Sequence, residues 1–147
     1  MTRFYTIDEA NAALPEVERI LVALRDQREE LIALRDRVVA ASPPDDETPT
    51  DEAAEQIRLL RLGMQGLIDQ MQAGVARLVE LDITLRDIST GLIDYPALLS
   101  GRPIWLCWRL GEDDVAHWHP HDEGFDSRLP LSDLQAGLGR GSGTPAA

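Results

Sequence analysis

Apolar residues recur at a seven-residue spacing along two long stretches, then give way near Leu85 to short β-like runs broken by glycine and proline. In the first stretch Val17, Leu24, Leu31 and Val38 mark one seam, Ile20 and Leu34 its companion, and Gln27 interrupts it. The second stretch is stricter. Ile57, Met64, Met71, Leu78 and Leu85 keep the spacing, with Leu60, Leu67 and Leu81 beside them and Gly74 where an apolar residue is due. This period predicts helices that each bury one stripe. Gly63, Gly66 and Gly74 suit the close approach of another helix, each at a cost of about 1 kcal/mol in helix propensity. Met64 and Met71 read as adaptable core filling rather than as a binding groove.

Local signals set the ends. Thr6-Ile7-Asp8-Glu9 is a capping box, in which the Thr6 hydroxyl accepts from the Glu9 amide and the Glu9 carboxylate reaches back. It predicts a turn or two of helix, with Pro15 at or near the first turn of the main one. Residues 42–50 carry three prolines and clustered acids, which predicts a loop. Helices of about 27 and about 35 residues joined by such a loop form an antiparallel hairpin. Further on, Gly91, Pro96 and Gly101-Arg102-Pro103 separate strands expected over 83–86, 92–98, 104–110 and 115–119. The fold class is therefore α+β: a long, coiled-coil-like antiparallel helical hairpin followed by a small antiparallel β-meander. Residues 1–134 read as one domain, with the hairpin over about 7–87, the β cassette over about 88–134 and a flexible Gly-rich tail over 135–147.

A lone hairpin leaves much of its stripe in water. Either the C-terminal segment or a second copy of the chain covers it, and the latter predicts a homodimer built on a four-helix bundle.

Charge narrows the partners. The 147 residues carry 26 acidic against 14 basic side chains, a net charge of −12. Such a field repels polyanions, which argues against nucleic acid and anionic membranes. Every basic residue is arginine, so there is no lysine for a Schiff base or a phosphate-binding loop, although genomic composition explains this equally well. A single cysteine forms no intrachain disulfide, and no apolar run suits a signal peptide or a membrane span, so the expected location is cytoplasmic.

The candidate chemistry is concentrated between Trp105 and His121, which hold all three histidines, all three tryptophans and the one cysteine. Gly111-Glu112-Asp113-Asp114 is a polar turn between apolar runs, and its length decides which side chains meet. A two-residue loop sets Leu106 opposite His119 and Trp108 opposite His117. A three-residue loop sets Cys107 opposite His119 and Arg109 opposite His117, leaving one clean apolar face, and amphipathicity favours it. In that register Cys107, His117 and His119 share a face and could meet zinc or another transition metal, with Glu112, Asp122 and Glu123 nearby. The bland alternative is a half-exposed sheet face with Cys107 packed as a small hydrophobe. His117-Trp118-His119-Pro120-His121-Asp122 superficially echoes a binuclear metallohydrolase motif, but His121 and Asp122 are transposed and no other histidine exists to complete it. Cys107 as a nucleophile lacks the electropositive setting that would lower its pKa.

Gly91-Leu92-Ile93-Asp94-Tyr95-Pro96, Leu106-Cys107-Trp108, Gly111-Glu112, Trp118-His119, Gly124-Phe125 and Arg128, with the opening from Phe4 to Pro15, resemble the uncharacterised bacterial proteins of domain of unknown function family 2203. The resemblance implies helices first and a β-rich end, and supplies no activity. It matches His119 but not His117 or His121, and so draws attention to Asp94, Cys107, Glu112, His119 and Arg128. Tyr95 and Arg86 stand where that family more usually has Phe and Lys. Arg128 is suited to clamp an anionic ligand or to pair with Glu112 or Asp94.

The leading functional reading is a cytosolic, non-enzymatic interaction or assembly module that dimerises through its helices and meets an unidentified protein partner. The alternative is a transition-metal or small-ligand binding protein, with Cys107, His117 and His119 as metal ligands and Asp94, Glu112, His119 and Arg128 as ligand-binding residues. A metal-dependent enzyme is a special case of the second.

Overall fold

A computed structural model describes residues 3–132. Helix α1 spans Ile7–Ala41 and α2 spans Asp51–Glu80. Strands β1 (Thr84–Asp87), β2 (Leu92–Leu99), β3 (Arg102–Arg109), β4 (His117–Pro120) and β5 (Leu129–Pro130) follow, with a 3-10 turn over Phe125–Ser127. The strands form one antiparallel sheet whose spatial order is the chain order. The α+β class, a helical hairpin followed by a meander, is as the hydrophobic pattern requires. Among the described residues no helix is long and apolar enough to cross a membrane.

The capping box forms in full, with Glu9 N–H donating to Thr6 Oγ1 at 3.0 Å and Thr6 N–H to Glu9 Oε1 at 2.9 Å. Helix α1 starts there and runs unbroken, so Pro15 lies inside it and not at the first turn of a separate main helix. The helix is thus 35 residues long, not about 27. Helix α2 is shorter than the pattern suggests, 30 residues rather than about 35. The apolar period runs on through Leu85, but the backbone turns first. Asp82 adopts φ +59°, Ile83 N–H donates to the Leu78 carbonyl and Asp82 N–H to that of Val79, which closes a Schellman motif. Leu85 therefore belongs to β1.

The helices pack along the expected stripe. Val17, Leu21 and Leu24 of α1 are buried, as are Ile57, Leu60, Leu67 and Leu78 of α2. Gln27, the polar interruption, donates to Gln70 of α2 at 3.3 Å. A Cβ on Gly74 would lie 3.2 Å from Leu24 Cδ2, so glycine there lets the helices close.

One face of the sheet completes the core. Ile93, Tyr95 and Ala97 of β2 stand opposite Trp108, Leu106 and Ile104 of β3, and all six join Leu14, Leu21 and Leu78 of the helices in one buried cluster. The N-terminal segment ties the layers together: Tyr5 N–H donates to the Pro96 carbonyl at 2.8 Å and the Tyr5 hydroxyl to the Leu81 carbonyl.

The β3–β4 register follows neither expected loop. Cys107 pairs with His117, Leu106 with Trp118 and Trp105 with His119. The chain between these strands runs from Leu110 to Ala116, longer than a tight turn, because Val115 is drawn into the core and its N–H donates to Asn11 Oδ1 of α1 at 2.8 Å. A slip of two residues from the three-residue version preserves parity, so Cys107, Arg109, His117 and His119 still share a face. The strand expected from 115 begins at His117, and β5 has no counterpart in the pattern. The tail expected over 135–147 lies outside the described residues.

Candidate functional site

The second sheet face carries the polar residues. Asp94 of β2 lies directly across from Cys107 of β3, and Cys107 directly across from His117 of β4. His119 is two residues further along β4 on the same face. Pleat and twist bring its imidazole diagonally back, so that His119 Nε2 stands 3.1 Å from Asp94 Oδ2. Asp94, Cys107 and His119 are all buried, and each offers a donor atom within 4.8 Å of the others.

The proton arrangement on His119 is constrained. Its Nδ1 lies 3.0 Å from the Pro120 carbonyl, which can only accept, so Nδ1 carries the hydrogen. Nε2 then directs a lone pair at the Asp94 carboxylate unless a proton or cation lies between them. Asp94 is 2% exposed, and its Oδ1 is buried with no partner. Its Oδ2 also accepts from Arg86 Nε at 2.8 Å. Burial, reinforced by the Asp94 charge, pushes the Cys107 thiol up to about 12 despite Arg128 at 4.0 Å, so the thiol is protonated at neutral pH unless a cation displaces that proton.

Beside this cluster, Arg128 and Glu112 form a bidentate pair, and Glu112 also accepts from the Arg109 N–H at 2.9 Å. Burial works to raise the Glu112 pKa. The Arg128 and Arg109 hydrogen bonds, with the charges of Arg128 and His117, outweigh it and hold the carboxyl below its ordinary value. Glu112 and Arg128 thus neutralise one another rather than facing an open ligand space. His117 Nδ1 lies 3.9 Å from Glu112 Oε2, and His117 is not among the clustered donors.

A cleft of about 310 Å³ opens onto Asp94 and His119, walled by Arg86, Leu92, His121, Gly124 and Phe125, with Asp122 and Glu123 at its mouth. Arg86 was missed by sequence reasoning as a member of the site. It is the extra residue of a β-bulge between Leu85 and Asp87, a device that sheets use to aim a side chain. Its guanidinium lies over the Trp105 ring at 5.0 Å, and His121 stacks on that ring at 4.9 Å. The Trp105 indole N–H donates to the His121 carbonyl at 3.3 Å. The available signal was that Arg86 stands where the family it resembles more usually has Lys; the strand pairing itself sets Thr84, not Arg86, opposite Asp94.

A family model described as an uncharacterized conserved protein (DUF2203) matches residues 3–131, nearly the whole chain. Neither a curated protein nor a solved structure matches it significantly.

Proposed function

The chain belongs to that family, and on this footing we propose that its β cassette binds a transition-metal ion, zinc above all, through Asp94, Cys107 and His119. The observation that carries the reading is the geometry at His119, whose Nδ1 lies 3.0 Å from the Pro120 carbonyl and whose Nε2 lies 3.1 Å from Asp94 Oδ2. With Nδ1 donating to that carbonyl, the Nε2 contact requires a proton or a cation between the ring and a buried carboxylate whose other oxygen is unpartnered among the described residues. A cation between them turns repulsion into ligation. Metal-bound histidines characteristically donate their other ring N–H to a carbonyl in this way.

The donor set suits zinc. Imidazole, thiolate and carboxylate are its usual ligands, and a neutral histidine with two anionic ligands balances a divalent charge. Tetrahedral ligation places ligand atoms about 3.3–3.8 Å apart, a contraction of about 1 Å from the widest separation available here. The test is elemental analysis of desalted protein after zinc reconstitution, beside Cys107→Ser and His119→Gln, with circular dichroism confirming that each is folded. Near-stoichiometric zinc in the parent and its loss from the folded variants is the expected result. A folded parent that retains no metal overturns the reading and leaves His119 and Asp94 as a buried hydrogen-bonded pair.

Self-association through the helices is a second reading, and it concerns a different surface. An apolar groove of about 460 Å³ runs between Leu31, Ile68, Met71 and Val75, and Leu59 and Leu62 are more than half exposed on α2. A second hairpin could cover such residues. Sedimentation at micromolar concentration decides it, and a strictly monomeric species eliminates it.

A further inference from the structure

We infer that the cleft beside Asp94 and His119 takes a small monocarboxylate, held by Arg86 and His121 and completing the coordination of the metal; this rests on the metal reading above. Asp94, Cys107 and His119 supply three ligands, one fewer than a tetrahedral ion needs, and Asp94 and His119 line a cleft. Three protein ligands with a remaining position toward a cavity is the arrangement of exchangeable rather than purely structural zinc.

Charge selects the ligand class. A divalent ion with one thiolate, one carboxylate and a neutral imidazole sums to zero, and Arg128 is cancelled by Glu112. Arg86 remains as the arginine that lines the cleft, opposed by the exposed carboxylates of Asp122 and Glu123. It spends its Nε on Asp94, and among the described residues its Nη groups have no hydrogen-bond partner. His121 carries at least one ring N–H in any protonation state, and it has no side-chain partner among the described residues. Both side chains pack on the same indole, Arg86 over the ring and His121 stacked on it, and both line the cleft. Planar guanidinium matches planar carboxylate.

The rest of the cleft sets size and limits charge. Leu92 and Phe125 provide an apolar wall, and about 310 Å³ is at the small end of ligand pockets. Asp122 and Glu123 at the mouth are exposed, so salt screens them, but they count against a dianion. A monoanionic acid with a short apolar body fits each of these features.

The test uses the cobalt(II)-loaded protein, whose visible and thiolate charge-transfer bands report coordination, titrated with acetate and benzoate and, as the uncharged control, acetamide. The expected result is a saturable spectral change with the carboxylates only, and an affinity about tenfold or more weaker in Arg86→Gln, each protein being read against its own carboxylate-free cobalt spectrum. Cobalt bands that no carboxylate perturbs, an equal response to acetamide, or undiminished binding in Arg86→Gln overturns the inference and leaves the metal site standing. Failure to take up cobalt overturns both.

Discussion

Arg128 closes on Glu112 with both of its terminal nitrogens, Nη1 3.2 Å from Oε1 and Nη2 2.5 Å from Oε2, while Nη1 also lies 4.0 Å from Cys107 Sγ. The pair is mostly shielded from water and ties the loop after β3 to the segment before β5. Because the folded Glu112 pKa is below its unfolded value near ~4.3, its contribution is present in full above that unfolded value and is lost as pH falls through the folded one. Glu112→Gln is expected to lose about 1–3 kcal/mol at neutral pH. Urea unfolding across pH checks it: the gap between parent and variant narrows in acid, and a pH-independent gap refutes the assignment.

Tyr95 buries a hydroxyl that has no partner among the described residues, and burial raises its pKa. The ring itself packs edge-on against Tyr5 at 5.0 Å, a contact that phenylalanine keeps. Tyr95→Phe is therefore expected to stabilise the fold by about 1 kcal/mol. Thermal melting measures it, and a clear loss of stability would mean the hydroxyl is hydrogen-bonded after all.

Two glycines should respond in opposite directions to alanine. Gly91 has φ +68°, and a Cβ there would collide with the Leu110 side chain. Gly91→Ala is expected to cost about 2 kcal/mol or more. Gly66 sits in α2 with open space where its Cβ would go, so Gly66→Ala is expected to gain about 1 kcal/mol. Chemical denaturation of the two variants side by side reads both.

Metal removal should weaken the sheet and not only empty a site. Asp94, Cys107 and His119 sit on three adjacent strands, so an ion that binds the native state alone stabilises their pairing. With free zinc at a hundred times its Kd, the gain is about 2.7 kcal/mol. Calorimetry with and without a chelator is expected to show that drop in the parent and none in Cys107→Ser.

Local pattern was enough for much of the fold. The heptads at Val17 and Leu24, and at Ile57, Leu67 and Leu78, mark the buried stripe because helical period follows from backbone geometry alone. The Thr6–Glu9 capping box is equally local. The misreadings have distant causes. Pro15 was placed at a helix start, whereas the capping box begins the helix eight residues earlier and α1 continues through it. The β3–β4 register depends on Val115, whose partner Asn11 is 104 residues away. That contact lengthens the loop, and no turn signal encodes it.

The same distinction applies to the site. Cys107, Glu112, His117 and His119 were visible as candidates by residue type, and Asp94 and Arg128 through the family resemblance, but which of them converge depends on strand register. The two-residue slip in the β3–β4 register moves His119 off the position opposite Cys107 and puts His117 there, while the independent β2–β3 register sets Asp94 against Cys107 on its other side. Arg86 was hidden because a bulge is set by two strands together.

The attachment of Tyr5 has a consequence for how the chain reaches this state. Each strand of the meander meets its sequence neighbour, so the sheet assembles by closing short loops, and the helical hairpin is similarly local. Tyr5 reaches much further, its hydroxyl partner Leu81 lying 76 residues away and Pro96 further still, and Asn11 does the same with Val115. During synthesis at about 5–20 residues per second, Tyr5 waits about 4–15 s before Leu81 exists. Docking of the N-terminal segment is thus a long-range closure that follows synthesis of both helices, and until it occurs the end of α2 lacks its latch.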